Sequence, residues 1–240
     1  MDSRYILDHK VGYFQVDHRQ KIQISALFHL LQEAAIHHAN QFQIGTGIME
    51  AKGESWILNR VALHLARYPE FEEAITIRTW ATNFIHFKGF RDFRILSSGE
   101  EIGRVSTLWL YIDMHEKSFA RLPVEIEQSF PVHKDEVNHP DLDRLRLPKP
   151  ADSARKTSVS LRYSDIDSNQ HVNNAAYLDI LQTALHHQNL NTHPLKIEIQ
   201  FAKEISPDTE SVDVRLESVD DSICFSLGNG DETAAFGRLK

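Results

Sequence analysis

The chain has 240 residues, of which 41% are hydrophobic and 25% charged, the balance of one large folded domain or two small ones. A net charge of −8 argues against a nucleic-acid binder, and no apolar run is long enough to span a bilayer, so no membrane partner is expected. A single cysteine, Cys224, excludes an internal disulfide and a cysteine-rich metal site, and the fourteen histidines show no zinc-type spacing.

The N-terminal stretch "MDSRYILDHKVGYF" lacks the apolar core of a signal peptide and the composition of an organelle transit peptide, so the cytoplasm is the expected compartment. Leu27, Leu30, Leu31, Ala34 and Ala35 follow helical spacing, with Ser25 as the expected N-cap and His37–His38 at the expected C-terminal end. A histidine pair there is most simply explained by the negative end of the helix dipole. The segments "WILNRVALHLARY", "AITIRTWATNF", "FRDFRIL" and "GRVSTLWLYID" then alternate as strands, with "SSGEE" as a turn. Residues 1–132 make a first unit. The polar stretch 133–156, "HKDEVNHPDLDRLRLPKPADSARK", has three prolines and no clean period, which predicts a linker.

A second unit, 157–240, opens on a strand in "KTSVSLRYS" and passes through "DIDSNQHVNN" into a second helix. Tyr177, Ile180, Leu181, Ala184 and Leu185 form that helix's apolar stripe, Asn173 is its expected N-cap, and His186–His187 close it. Strands follow at Leu195–Phe201, Val212–Leu216 and Ile223–Leu227, with a turn at "GNGDE".

Aligning "LLQEA" at 30–34 with "ILQTA" at 180–184 gives an offset of 150 residues, which also pairs Asp17 with Asp167 and Gln20 with Gln170. Arg19 then stands opposite Asn169, and Lys21 opposite His171. The two units therefore look like divergent copies. The expected class is α+β, with two long helices wrapped by a continuous antiparallel sheet.

The segment between the second unit's first strand and its helix is the candidate site. Asp167, Asn169 and His171 alternate, which in extended chain puts a carboxylate, an amide and an imidazole on one side. Asn173 and Asn174 sit at the helix N-terminus, where free N–H groups suit an oxyanion. Glu204, expected at the end of the strand in "QFAKEISPD", supplies a candidate base. Taken singly, each residue has a folding explanation as a cap, turn or solvated charge. An ordinary cap needs one polar side chain, and this segment holds several.

The pattern "DIDSNQHVNNAAY" resembles the signature of the acyl-ACP thioesterases. So do "ESWILNR", "ARYPEF", "RTWA", "GFRDFRI", "GRVSTLWLYID" and "ARLP", in order, so that the resemblance covers nearly the whole chain apart from the linker and the last few residues. It implies a tandem (double) hot-dog fold and a thioester hydrolase acting on fatty acyl-acyl carrier protein. It implies no cofactor and no metal, and the acidic carrier protein as partner. Monomer and homodimer both stay open. The resemblance places catalytic roles on Asp167, Asn169, His171 and Glu204. It places a cysteine where this chain has Ile205, so no cysteine nucleophile acts there. The first unit, without the amide and imidazole, is expected to hold the acyl chain. Lys88, Arg91, Arg94 and Arg121 are expected near the tunnel mouth to meet the carrier. An acyl-CoA thioesterase, another hot-dog acyl-thioester enzyme such as a hydratase-dehydratase, or a non-enzymatic acyl-thioester sensor are the alternatives.

Overall fold

The computed structural model describes residues 3–167, 170–230 and 232–240. In chain order the elements are β1 (Tyr5–Lys10), α1 (Ile24–Gln41), α2 (Thr46–Ala51), β2 (Glu54–Leu65), β3 (Ala74–Ile85), β4 (Lys88–Ser97), β5 (Glu100–Asp113), β6 (Ser118–Phe119) and α3 (Val124–Ser129). The second half follows with β7 (Arg155–Ser160), α4 (Asn174–His187), β8 (Lys196–Phe201), β9 (Ser211–Val219), β10 (Ser222–Asn229) and β11 (Glu232–Leu239). Alternation built the strands as expected: Val212, Val214 and Leu216 of β9 are buried while their neighbours are not.

Among the described residues the strands join into one antiparallel sheet ordered β1-β3-β4-β5-β2-β8-β11-β10-β9-β7, with β6 added to β5. The order is a palindrome about the β2–β8 pair, where Val61 faces Ile199. The helices α1 and α4 lie side by side on one face of the sheet, and their apolar stripes share one core with it. This is the expected α+β arrangement of two long helices wrapped by one sheet.

The 150-residue offset holds atom by atom at the two helix entrances. The bridge Val16–Ile22 repeats as Ile166–Val172. The Gln23 N–H donates to Gln15 O at 2.8 Å, and the Asn173 N–H donates to Asp165 O at 2.8 Å. Gln20 and Gln170 both adopt left-handed backbone, with φ of 64° and 61°. In each turn an aspartate Oδ1 accepts a backbone N–H, from Lys21 to Asp17 and from His171 to Asp167, both at 3.3 Å. An aspartate closing a tight turn on its own backbone explains why Asp17 and Asp167 occupy matching positions.

Two expectations need correction, and the linker at 133–156 is more ordered than expected. The N-cap of α1 is Gln23, held in extended conformation by the Gln15 carbonyl; Ser25 lies inside the helix, 3.5 Å from Asp179 Oδ1 of α4. His38 lies in the last turn of α1 as expected, but it is not a helix-end charge, since the imidazole is fully buried. The segment 133–156 is an ordered strap across the outer face of the sheet, and its last two residues already belong to β7. Trp80 Nε1 donates to Glu136 O at 2.9 Å, and Asn138 Nδ2 reaches Phe93 O and Val105 O. Arg60 Nη1 donates to the carbonyls of Leu142, Asp143 and Leu145 at 3.1, 3.2 and 2.7 Å. Lys149 lies over the Phe236 ring at 4.7 Å, and the Ala151 N–H reaches Glu217 Oε2 at 2.8 Å. The strap is polar because side-chain hydrogen bonds, rather than an apolar face, attach most of its length.

His38 makes two hydrogen bonds with fixed roles. Its Nδ1 faces Arg91 Nη1 at 2.8 Å, and a guanidinium only donates, so Nδ1 accepts and Nε2–H donates to Ser3 O at 2.9 Å. Burial, then the Arg91 charge, lowers the His38 pKa to about 4. The folded state therefore prefers neutral His38, and this contribution to stability is present above pH 6.5 and lost as pH falls toward 4. Buried Asp92, raised to about 6 mainly by desolvation, works in the opposite direction over part of the same window. The diagnostic is thus a difference. Relative to wild type, His38→Gln, which keeps an acceptor and a donor, should gain on the order of 3 kcal/mol between pH 6.5 and 4. Urea melts of both proteins across that range measure it, and parallel pH profiles would contradict the assignment.

Candidate active site

The turn that closes on Asp167 presents His171 at the mouth of α4. The Asp167 N–H donates to His171 O at 2.9 Å, so backbone and side chain of Asp167 both hold the histidine's peptide unit. Glu204 arrives from the other side, in the loop three residues beyond the end of β8 rather than on the strand as expected. His171 Nε2 and Glu204 Oε2 stand 3.4 Å apart, with side chains 40% and 56% exposed. Two residues separated by 33 positions are thus placed together where a substrate can reach both. Asn169 lies outside the described residues.

At the start of α4 the Asn173 side chain accepts from the Ala175 N–H at 2.8 Å, as expected of an N-cap. This cap has a chemical consequence. The N–H groups of Asn173, Ala175 and Ala176 are engaged by Asp165 O, Asn173 Oδ1 and Asn173 O. The expected cluster of free N–H groups at this end is therefore mostly used by the fold itself. Asn174, the first helical residue, is half-buried beside it.

Two residues given no role in the site by the sequence hold the glutamate loop. Tyr177, in the first turn of α4, donates its hydroxyl to Lys203 O at 3.3 Å and accepts from the Ile205 N–H at 3.0 Å. One phenol thereby grips the backbone on both sides of Glu204. Burial pushes the Tyr177 pKa up to about 12, so the hydroxyl stays protonated and able to donate. From the first half, Asn59 donates Nδ2 to Phe201 O at 3.0 Å, beside a register shift in β2. The signal for Tyr177 was its hydroxyl on an otherwise apolar helix stripe, since a buried phenol needs a polar partner. Asn59 carried no comparable signal. Ile205 is buried, and Cys224 is buried on β10 with its thiol pKa raised by desolvation.

The first half holds the same turn with different chemistry. Arg19 and Lys21 stand at the positions of Asn169 and His171. The pairing of Val11 N–H with Glu73 O repeats as Leu161 N–H with Glu210 O, and this register carries Glu204 onto Arg67. Arg67 is bound to Glu73 at 2.9 Å. Three positions that are amide, imidazole and carboxylate in one half are basic in the other.

The expected basic contacts for a partner are mostly occupied. Arg91 is buried against His38 and Thr79, Arg94 is paired with Glu101 at 3.2 Å, and Lys88 with Asp143 at 3.1 Å. Arg121 alone of the four is exposed without a carboxylate among the described residues. No helix among the described residues is long and apolar enough to cross a membrane.

The family model of the acyl-ACP thioesterase N-terminal domain matches residues 3–130, and that of the C-terminal domain matches residues 148–227. Oleoyl-acyl carrier protein thioesterase 2, chloroplastic, from Arabidopsis thaliana is 25% identical over 217 residues, covering 82% of this chain and 59% of that protein. Acyl-[acyl-carrier-protein] hydrolase FATB2, chloroplastic, from Cuphea viscosissima is 26% identical over 223 residues, covering 87% and 53%. The chain thus spans about half to three-fifths of the length of these relatives. Among solved structures, an acyl-ACP thioesterase from Bacteroides thetaiotaomicron superposes with a TM-score of 0.85 at 19% identity, over 99% of this chain and 97% of that one. The 12:0-ACP thioesterase from Umbellularia californica gives 0.85 at 19%, over 100% and 97%. These two share the fold, and the two domain matches together cover most of the sequence: the chain belongs to the acyl-ACP thioesterase family.

Proposed function

We propose that this protein hydrolyses fatty acyl thioesters carried on acyl carrier protein, releasing a free fatty acid and the carrier thiol. The observation that carries the reading is the 3.4 Å approach of His171 Nε2 to Glu204 Oε2 at the mouth of α4. Support comes from relatives named as acyl-ACP thioesterases and hydrolases. A role in fatty acid synthesis and a cytoplasmic location belong to the same proposal.

In the mechanism we favour, Glu204 accepts a proton from water as that water attacks the thioester carbonyl. His171, aimed at one carboxylate oxygen, orients Glu204 and leaves the other oxygen for the proton. Asp167 holds His171 through its backbone. Asn169 binds the water or the carbonyl oxygen. The oxyanion forms beside Asn173 and Asn174, where the Asn174 N–H and the positive end of α4 favour negative charge. Collapse expels the thiolate, which takes the proton from Glu204. The first half, residues 1–132, holds the acyl chain against α1 and its sheet, and residues 157–240 carry the chemistry.

Three outcomes test this. Glu204→Gln keeps size but cannot accept a proton, so kcat should fall about 10²–10⁴-fold with a smaller change in KM. Near wild-type kcat in this variant would transfer the base role to His171. Next, Arg19→Ala/Lys21→Ala should retain most turnover while Asn169→Ala/His171→Ala should not, and equal losses would refute the division between halves. Finally, Tyr177→Phe leaves the Ile205 N–H unpaired in a buried place, which should cost about 1–3 kcal/mol in a denaturant melt. Because Glu204 then loses its fixed loop, kcat should fall while KM for the acyl carrier stays the same, a split that simple destabilisation would not produce. Turnover on acyl-carrier and acyl-CoA forms of one fatty acid separates this reading from an acyl-CoA thioesterase.

A further inference from the structure

The strap across the outer sheet face carries a row of cations without carboxylate partners among the described residues. These are Arg144, Arg146 and Lys149, and all three are exposed. Nearby cations behave differently: Lys88 holds Asp143, Arg238 holds Glu198, and Lys203 holds Glu232. In a chain of net charge −8, Arg144, Arg146 and Lys149 follow one another within residues 144–149 with no acidic residue between them, while Asp141, Asp143 and Asp152 border that stretch.

The row is rigidly placed. Arg60 pins the carbonyls of Leu142, Asp143 and Leu145, Leu142 is buried, and prolines 148 and 150 flank Lys149. Its position is as telling as its charge. Arg60, Gln200 and Phe236 form one row across β2, β8 and β11, and this row lies at the end of β8 from which the Glu204 loop departs. A shallow surface groove lined by Lys149, Ala202, Lys203, Glu232 and Thr233 continues from the strap to that loop.

We propose that Arg144, Arg146 and Lys149 form the docking surface for the acidic carrier domain that delivers the thioester, with the Lys149–Lys203 groove leading its prosthetic arm toward Glu204. This rests on the thioesterase reading above. Fixed cations facing an acidic surface speed and orient encounter, an effect that salt weakens. The buried and paired residues Lys88, Arg91 and Arg94 are not part of this surface.

The test compares two variants of equal charge change. One is Arg144→Glu/Arg146→Glu, which leaves Lys149 and the groove intact. The other, Arg104→Glu/Lys240→Glu, alters exposed cations at the opposite end of the strands. Binding of fluorescent holo-acyl carrier protein is measured directly, and hydrolysis of an acyl-pantetheine thioester, which has no protein part, is measured alongside. The strap variant should raise Kd for the carrier by about tenfold or more, and lose most of its salt dependence, while the distal variant changes Kd by less than about twofold. Acyl-pantetheine turnover should stay within about twofold of wild type in both. Equal Kd changes in the two variants, no change in either, or a parallel loss of acyl-pantetheine turnover in the strap variant would overturn the docking surface. Failure of the wild type to hydrolyse acyl-pantetheine or acyl carrier would instead sink the thioesterase reading, with the Kd comparison still deciding the docking surface.

Discussion

The pairing of β2 with β8 is the contact on which the rest of the arrangement depends. Five residue pairs, from Arg60–Gln200 to His64–Lys196, join two half-sheets into one. Each half-sheet alone would end in an open edge with unpaired backbone groups. Joined, they bring α1 and α4 together on one face, and the Ile24 N–H of one helix reaches Gln182 Oε1 of the other at 3.2 Å. The same seam lets first-half residues serve the second half's site. Asn59 and Arg60 lie at the seam's edge; one fixes the end of β8, and the other fixes the strap that leads back to β7.

Duplication explains how the site is built and how it diverged. The turn before each helix is held by backbone hydrogen bonds and by one aspartate, so the side chains it displays are free to change without unfolding it. At Lys21 and His171 the backbone geometry is the same, and the chemistry is not. The first half has basic residues at three positions where the second half has its amide, imidazole and carboxylate. A copy that keeps its turn but changes these groups keeps the shape of the turn with different side chains, which is why the proposed mechanism puts catalysis on one side only.

Much of this was legible in the sequence. The alternation of Ile197, Ile199 and Phe201 and the stripe from Tyr177 to Leu185 mark elements that bury one face, and burial is what periodicity reports. The polar run at 165–174 stood out because it exceeded the needs of a cap. What escaped the sequence depends on distant partners. His38 became a buried acceptor only because Arg91, 53 residues away, folds against it. Ser25 lost the cap because Gln15 had already fixed Gln23. The strap looked like a linker because its attachments run through carbonyls of 142–145 to Arg60, and hydrogen bonds of that kind have no period. Arg91 was expected at a surface because arginine usually lies there, and no local pattern marked it as buried.

The neighbours Glu204 and Ile205 show how the loop separates chemistry from anchoring. Ile205 is 5% exposed and contributes to the main core, while the Glu204 side chain is 56% exposed and faces His171. Tyr177 holds the carbonyl before Glu204 and the N–H after it, which fixes the peptide units so that the two side chains diverge. A side chain at 205 therefore points into the apolar interior, where a thiol would be raised in pKa and kept from forming a thiolate. The resemblance puts a cysteine at this position, and the geometry explains why isoleucine can replace it. The position needs an apolar anchor of moderate size, and in the proposed mechanism the base is the carboxylate beside it. A nucleophile at 205 would have to leave the core to reach a thioester at the mouth of α4. A water molecule activated by Glu204 needs no such movement, so the departure from the family pattern at Ile205 fits attack by water.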